Sequence, residues 1–221
     1  MSSSASQPDP QPLSHRETTP RSQHRARLSR TGTAVVPEPD FDRAAAGART
    51  LLEALGVDLD NESLRRTPER MAASLAELMS PRPFQLTTFP NDGGYDELMV
   101  ARGIPLRSLC EHHMLPFVGT AHIGYLPGQR ILGLSKLARV LEHFASRPQM
   151  QERLTVQVAD WLRAQLAPAG VGVVIEAEHL CMTLRGVQAP GTMTITSSLL
   201  GVLRDDSRSR AEFLALTRSP G

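Results

Sequence analysis

A chain of 221 residues with 40% hydrophobic composition can bury one good-sized core, yet it has no apolar run of the about 18 residues that span a bilayer. A formal net charge of +1 and an aromatic content of 4% supply neither the electrostatic footprint nor the stacking surface of a nucleic-acid binder, and they give no argument for membrane attachment. Only 2 cysteines and an N-terminus without an apolar h-region argue for a reducing, cytoplasmic setting, where cysteines bind metal or react rather than pair.

Residues 1 to about 37 are rich in Ser, Pro, Gln, Thr and Arg and almost devoid of large apolar side chains, which predicts a disordered tail. Its arginines (Arg16, Arg21, Arg25, Arg27 and Arg30) outnumber Asp9 and Glu17, as in an organellar transit peptide, but no amphipathic pattern accompanies them. Residues 38–95 form a helical section. Asp40 caps a first helix with Ala44, Ala48, Leu51, Leu52 and Leu55 on one face, stopped by Gly56. "RTPERMAASLAELM" gives a second, with Thr67 as N-cap, Pro68 at the first helical position and a stripe of Met71, Leu75, Leu78 and Met79.

The pattern changes in residues 96–221. "ELMVARGIPLRSLC" and "FVGTAHIGYLPG" read as strands, the second alternating Val118, Thr120, His122 and Gly124 against their neighbours. "LSKLARVLEHFAS" is helical, with Leu134, Leu137, Leu141 and Phe144 on one stripe. "QERLTVQVADWLRAQL" is a second helix, turning Leu154, Val158, Trp161 or Leu162, and Leu166 inward. "GVGVVIEAEHLCMTL" and "GTMTITSSLLG" are strands, and "SRSRAEFLAL" closes the chain as a short helix. This order predicts an α+β fold, an antiparallel four-stranded sheet backed by two helices.

In "SLCEHHMLPF", Cys110 and His113 are spaced so that a tight turn can bring both to one ion. With Cys181 the only other cysteine, the count favours a three-ligand site with an open position, the arrangement of catalytic rather than structural zinc. On a strand, His179 and Cys181 would share a face, which places His179 beside the metal as a general acid or base; His112 is a second candidate. The bland alternative is a pair of inert buried cysteines among packed histidines.

"GLSKLAR" sets Ser135, Lys136 and Arg139 on one face at a helix start, where free N–H groups and the helix dipole favour an anion, and "CMTLRG" adds Arg185. The same residues also read as a solvated helix face. Gln151 and Glu152, side by side at a helix entry, can read a ring that carries N–H donors and a carbonyl, or can simply complement the dipole.

The blocks "SLCEHHMLPFVGTAHIGYLP", "GLSKLARV", "QERLT" and "VIEAEHLCMTLRGV" together resemble GTP cyclohydrolase I over about residues 98–218. The likeness is weaker over 40–95, where it rests on "TPER" and the paired helices. It implies a tunnelling fold assembled as a homodecamer of two pentamers with sites shared between subunits. It also implies zinc-dependent conversion of GTP and water to 7,8-dihydroneopterin triphosphate and formate, the first step of pterin biosynthesis. The resemblance assigns Zn2+ to Cys110, His113 and Cys181, and assigns ring-opening protonation to His179, later proton transfers to His112 and a part in the rearrangement to Ser135. It puts guanine on Gln151 and Glu152, and the triphosphate on Lys136, Arg139 and Arg185. Met114, Ser146 and Glu69 depart from the family pattern, the last at a position where a basic residue near the triphosphate is common. A zinc-stabilised GTP-binding scaffold without turnover is the alternative, and it would predict loss of His112 or His179.

Overall fold

The computed structural model describes residues 38–218, so the tail expected to be disordered lies outside the described residues. Helix α1 (Phe41–Ala54) starts where the Asp40 carboxylate accepts the Arg43 N–H at 3.0 Å. It closes at Gly56, whose φ of +80° suits glycine. Helix α2 (Thr67–Met79) begins one residue earlier than expected. Thr67 is the first helical residue rather than the cap, and Arg66, at the cap position, contributes no side-chain bond.

The stripes of these two helices also differ from expectation. Pro68, Ala72 and Ala76 are buried in α2, while Met71, Leu75, Leu78 and Met79 are half-buried. In α1 only Ala48 is buried, and Leu51 and Leu55 are exposed. The helices pack chiefly on each other. Small alanines let them approach closely and leave the bulkier apolar side chains on the flanks.

The rest of the chain supplies β1 (Thr88–Pro90), β2 (Met99–Cys110), β3 (Pro116–Leu126), β4 (Arg130–Leu132), α3 (Ser135–Ala145), β5 (Pro148–Gln149), α4 (Gln151–Leu166), β6 (Gly170–His179), α5 (Leu180–Thr183), β7 (Met193–Gly201), α6 (Val202–Asp205) and α7 (Ser207–Thr217). The main sheet runs β5-β2-β3-β6-β7. Its four long strands are antiparallel, as expected, and β5 adds two residues in parallel to the end of β2. A small β1–β4 ribbon stands apart from it.

Alternation along the strands decides what faces the helices. Phe117, Ala121, Ile123 and Tyr125 of β3, with Val171, Val173, Ile175 and Ala177 of β6, form one core with Leu137, Val140 and Leu141 of α3 and Leu154, Val158 and Leu162 of α4. Leu134, expected on the α3 stripe, precedes the helix and is 71% exposed. On the opposite face, Phe213 of α7 is fully buried against Gly172, where an added Cβ would lie 2.6 Å from its ring.

Helix α3 packs against β2 and covers only part of this sheet, since 11 helical residues are far shorter than the 12-residue strand. It follows β4, whose Leu132 N–H donates to the Tyr125 hydroxyl of β3 at 2.8 Å. It ends beside the β2–β3 hairpin, where the Ser108 hydroxyl donates to the Ala145 carbonyl at 2.6 Å. The two ends of α3 are therefore about 15 Å apart.

Candidate metal centre and active site

The centre forms at the end of the sheet where β2 turns into β3. Cys110 is the last residue of β2, and the turn that follows is held by the Met114 N–H donating to the Cys110 carbonyl at 2.8 Å and the Cys110 N–H donating to the Leu115 carbonyl at 2.8 Å. Closing so short a loop requires a left-handed residue, and Met114 takes that role with φ +55°. The turn throws His112 and His113 back over Cys110, bringing their Nδ1 atoms within 3.7 and 3.9 Å of its Sγ.

Cys181 arrives from β6, but not as expected. The expectation that His179 and Cys181 share one strand face does not hold, because β6 ends at His179 and Leu180–Thr183 form a single helical turn. The Thr183 hydroxyl shares its one proton between Glu178 Oε1 at 3.0 Å and the His179 carbonyl at 3.2 Å, and this local side-chain bonding stabilises the turn. The turn still delivers the thiol, and the ligand atoms of Cys110, His113 and Cys181 all lie within 4.8 Å of one another.

The donor chemistry of this group fits a soft, borderline divalent cation such as zinc. Both cysteines are free and buried, and burial together with the adjacent Cys110 pushes the Cys181 thiol above its ordinary pKa. Two neighbouring buried thiols cannot both ionise cheaply unless a cation sits between them, and binding one releases their protons. Arg185 adds positive charge at the rim, its Nη1 donating to His113 Nε2 at 3.4 Å.

His179 is the last residue of β6, two residues before Cys181. Its ring stacks on Phe117 with centroids 4.6 Å apart and an angle of 8° between planes. Phe117 is its cross-strand partner, so the ladder itself sets the stack. Burial lowers the pKa of His179, and Glu152 opposes that shift.

Gln151 and Glu152 take different directions. Gln151 is 1% exposed, and its amide is fully committed inside the protein: the two N–H bonds of Nε2 are shared among the Ile175 carbonyl (3.1 Å), the Thr194 carbonyl (2.9 Å) and Thr196 Oγ1 (3.2 Å), while Oε1 faces His179 Nε2 at 2.8 Å. Glu152 is exposed at the α4 N-terminus and makes no hydrogen bond or ion pair among the described residues. Only the second of the pair has side-chain atoms free to meet a ligand.

Ser135, Lys136 and Arg139 are not brought to the metal group within one chain. They occupy the start of α3, the end remote from the hairpin, and Arg139 there donates to Glu142 Oε2 at 3.2 Å. Arg82 pairs with the same carboxylate and holds Glu142 below the usual carboxylate range.

Some supporting residues escaped the sequence reading. Phe117 beneath His179 is one. The Glu111–Arg153 ion pair is another; it ties the hairpin to α4, and Arg153 Nε also donates to Gln149 Oε1 at 2.9 Å. For Gln151 a signal existed, because it is in phase with Leu154, Thr155 and Val158, the buried side of α4.

Comparison with known proteins shows the family of the chain. The family model of GTP cyclohydrolase I matches residues 44–218. A GTP cyclohydrolase 1 of Aquifex aeolicus (strain VF5) is 50% identical over 179 residues, covering 81% of this chain and 97% of the relative. One from Synechococcus sp. (strain JA-3-3Ab) is 51% identical over 179 residues, covering 79% and 78%. A third, from Thermoanaerobacter pseudethanolicus (strain ATCC 33223 / 39E), is 47% identical over 185 residues, covering 81% and 98%.

Proposed function

From the premise that the chain belongs to the GTP cyclohydrolase I family, we propose that it hydrolyses GTP to 7,8-dihydroneopterin triphosphate and formate at the Cys110–His113–Cys181 group. The observation that carries this reading is the convergence of those three ligand atoms within 4.8 Å, with His112 against Cys110 and His179 two residues before Cys181. A scaffold without turnover has no need of either histidine there, and nothing in the site favours it.

Cys110, His113 and Cys181 would hold the Zn2+, which when bound supplies the Lewis acidity that makes water nucleophilic near neutral pH. The remaining work falls to the chain's own groups. Glu152, with a free carboxylate at the α4 N-terminus, accepts the N–H groups of the guanine ring. His179, held flat on Phe117, gives a proton to the imidazole nitrogen as the bond to C8 breaks. His112, next to Cys110, moves protons in the hydrolysis that frees formate. Arg185 at the rim faces the phosphates, and Lys136 and Arg139 hold them at a helix N-terminus, with Ser135 serving the later rearrangement.

The remoteness of the α3 N-terminus from the metal group of the same chain supports a site completed by a second copy. Strand β7 supports assembly too: one edge of it is unpaired among the described residues, and it carries Ile195 at 62% exposure. The assembly we propose is the homodecamer of two pentamers, working in the cytoplasm. No helix among the described residues is long and apolar enough to cross a membrane.

The test is a GTP assay on zinc-loaded protein that follows formate and the fluorescent oxidised pterin, beside a folded Cys181→Ala variant. Wild type should release both products and the variant neither. GTP binding without formate from the wild type would defeat the proposal.

A further inference from the structure

We infer that Gln151 is a positioning residue for His179: it fixes the neutral imidazole in the Nε2–H form and leaves Nδ1 as the nitrogen that exchanges protons with substrate. The inference deepens the proposed reaction and rests on it.

The argument begins with the direction of the Gln151 amide. Oxygen and nitrogen of such a group are distinguished by what they face. Its Nε2 lies 3.1 Å from the Ile175 carbonyl oxygen and 2.9 Å from that of Thr194, which can only accept. Turning the amide over would set its oxygen against both. The hydroxyls nearby agree. Thr155 Oγ1 donates to the Gln151 carbonyl at 2.8 Å, so in its 2.7 Å contact with Thr196 it is Thr196 that donates. The Thr196 oxygen is thereby left to accept from Gln151 Nε2 at 3.2 Å. Every partner assigns the NH2 group to the strands and the oxygen to His179.

Gln151 Oε1, 2.8 Å from His179 Nε2, can only accept. The proton must therefore sit on Nε2, and in the neutral ring the lone pair falls on Nδ1. Nδ1 has no hydrogen-bond partner among the described residues, whereas Nε2 is turned into the α4–β6 contact. The stack on Phe117, at 4.6 Å and 8°, stops the ring from tilting out of this arrangement.

The proton balance follows. The ring keeps Nε2–H throughout. The water that gives its proton to Nδ1 adds its hydroxide to C8, the proton on Nδ1 passes to the substrate nitrogen as the C8–N bond breaks, and the ring returns to the neutral Nε2–H form. A glutamine suits this role because its amide presents an acceptor to the ring while its other end anchors to two main-chain carbonyls. A glutamate there would turn one oxygen against those carbonyls.

The experiment has two arms on the full-length, zinc-loaded protein. The first is steady-state kinetics of Gln151→Met, which keeps the length of the side chain but cannot accept. The expected result is a fall in kcat of about 10- to 100-fold, a share of what a positioned acid contributes, with KM for GTP within about twofold and zinc content unchanged. A rise in KM with kcat unchanged would mean that Gln151 contacts guanine, and would overturn the inference. The second arm is nitrogen NMR of histidine-labelled wild type, with His179→Asn to assign the signal. An Nε2–H imidazole is expected, and an Nδ1–H imidazole overturns the inference even if the variant fails to fold. The spectrum does not depend on turnover, so an inactive wild type counts against the proposed function alone and leaves the tautomer to the NMR result.

Discussion

A methyl group at Gly119 tests how the sheet holds the centre in place. Gly119 pairs with Ala177 in the β3–β6 ladder, one inward-facing position from the Phe117–His179 pair. A Cβ at Gly119 would lie 1.9 Å from the Glu176 carbonyl oxygen and 2.6 Å from the Ala177 Cα, both main-chain atoms. No rotamer change relieves such contacts. The strands must move apart by about 1 Å, which adds an overpacking cost of about 1–3 kcal/mol. That separation also weakens about two ladder hydrogen bonds at about 0.5–1.5 kcal/mol each. Gly119→Ala should therefore lose about 2–6 kcal/mol, a large part of a typical domain's stability of about 5–15 kcal/mol. Urea unfolding at fixed protein concentration measures the loss. Since His179 rides on the same ladder, turnover in buffer should fall further than zinc content does. A variant within about 0.5 kcal/mol of wild type and fully active would refute the close approach on which the reasoning depends.

Gly47 supplies the opposite case. It sits inside α1 with no atom within 4 Å of an added Cβ, so Gly47→Ala should gain about 0.5–1 kcal/mol in the same unfolding assay. The Glu111–Arg153 pair is partly exposed, at 29% and 42%, so Glu111→Gln should change stability by no more than about 1 kcal/mol. Zinc loss to a chelator should nonetheless quicken as the hairpin loosens, and the swap of Glu111→Arg with Arg153→Glu should slow it again. An unchanged rate of zinc loss in Glu111→Gln would show that the pair does not steady the ligands. Glu178 accepts the Gly191 N–H at 3.0 Å and the Thr183 hydroxyl at 3.0 Å, and these bonds hold its carboxyl below the usual range. The folded pKa lies under the unfolded one, so this support of residues 184–192 is complete above about pH 4.3 and fades as pH falls through the depressed folded value. Amide exchange there should be faster in Glu178→Ala than in wild type at pH 6, and the gap should close on acidification; a gap independent of pH would count against it.

Patterns that depend on local spacing were legible in the sequence. The C-x2-H turn, the alternation of β3 and β6 and the inward stripe of α4 all repeat over a few residues, and the fold keeps them. Features set by distant partners were harder to read. The single turn Leu180–Thr183 interrupts what looks like continuous strand, because Val, Ile and Glu give no sign of where the ladder stops. Leu51 and Leu55 read as core yet are exposed, since only small residues fit where α1 meets α2. Gln151 read as a ligand contact because its local sequence is polar, but its carbonyl acceptors come from β6 and β7, far along the chain. The placement of Ser135, Lys136 and Arg139 followed from topology alone. Nothing in "GLSKLAR" says that the helix it opens meets the hairpin only at its other end.

The most direct test of the central claim is metal reconstitution of the chelated protein. Zinc would be added back in steps while bound metal per chain and formate release from GTP are measured together. The account predicts that formate release rises in proportion to zinc and levels off at about one ion per chain, with Cys110→Ala and Cys181→Ala showing neither binding nor release. Full formate release from chelated protein, or from either cysteine variant, would contradict it.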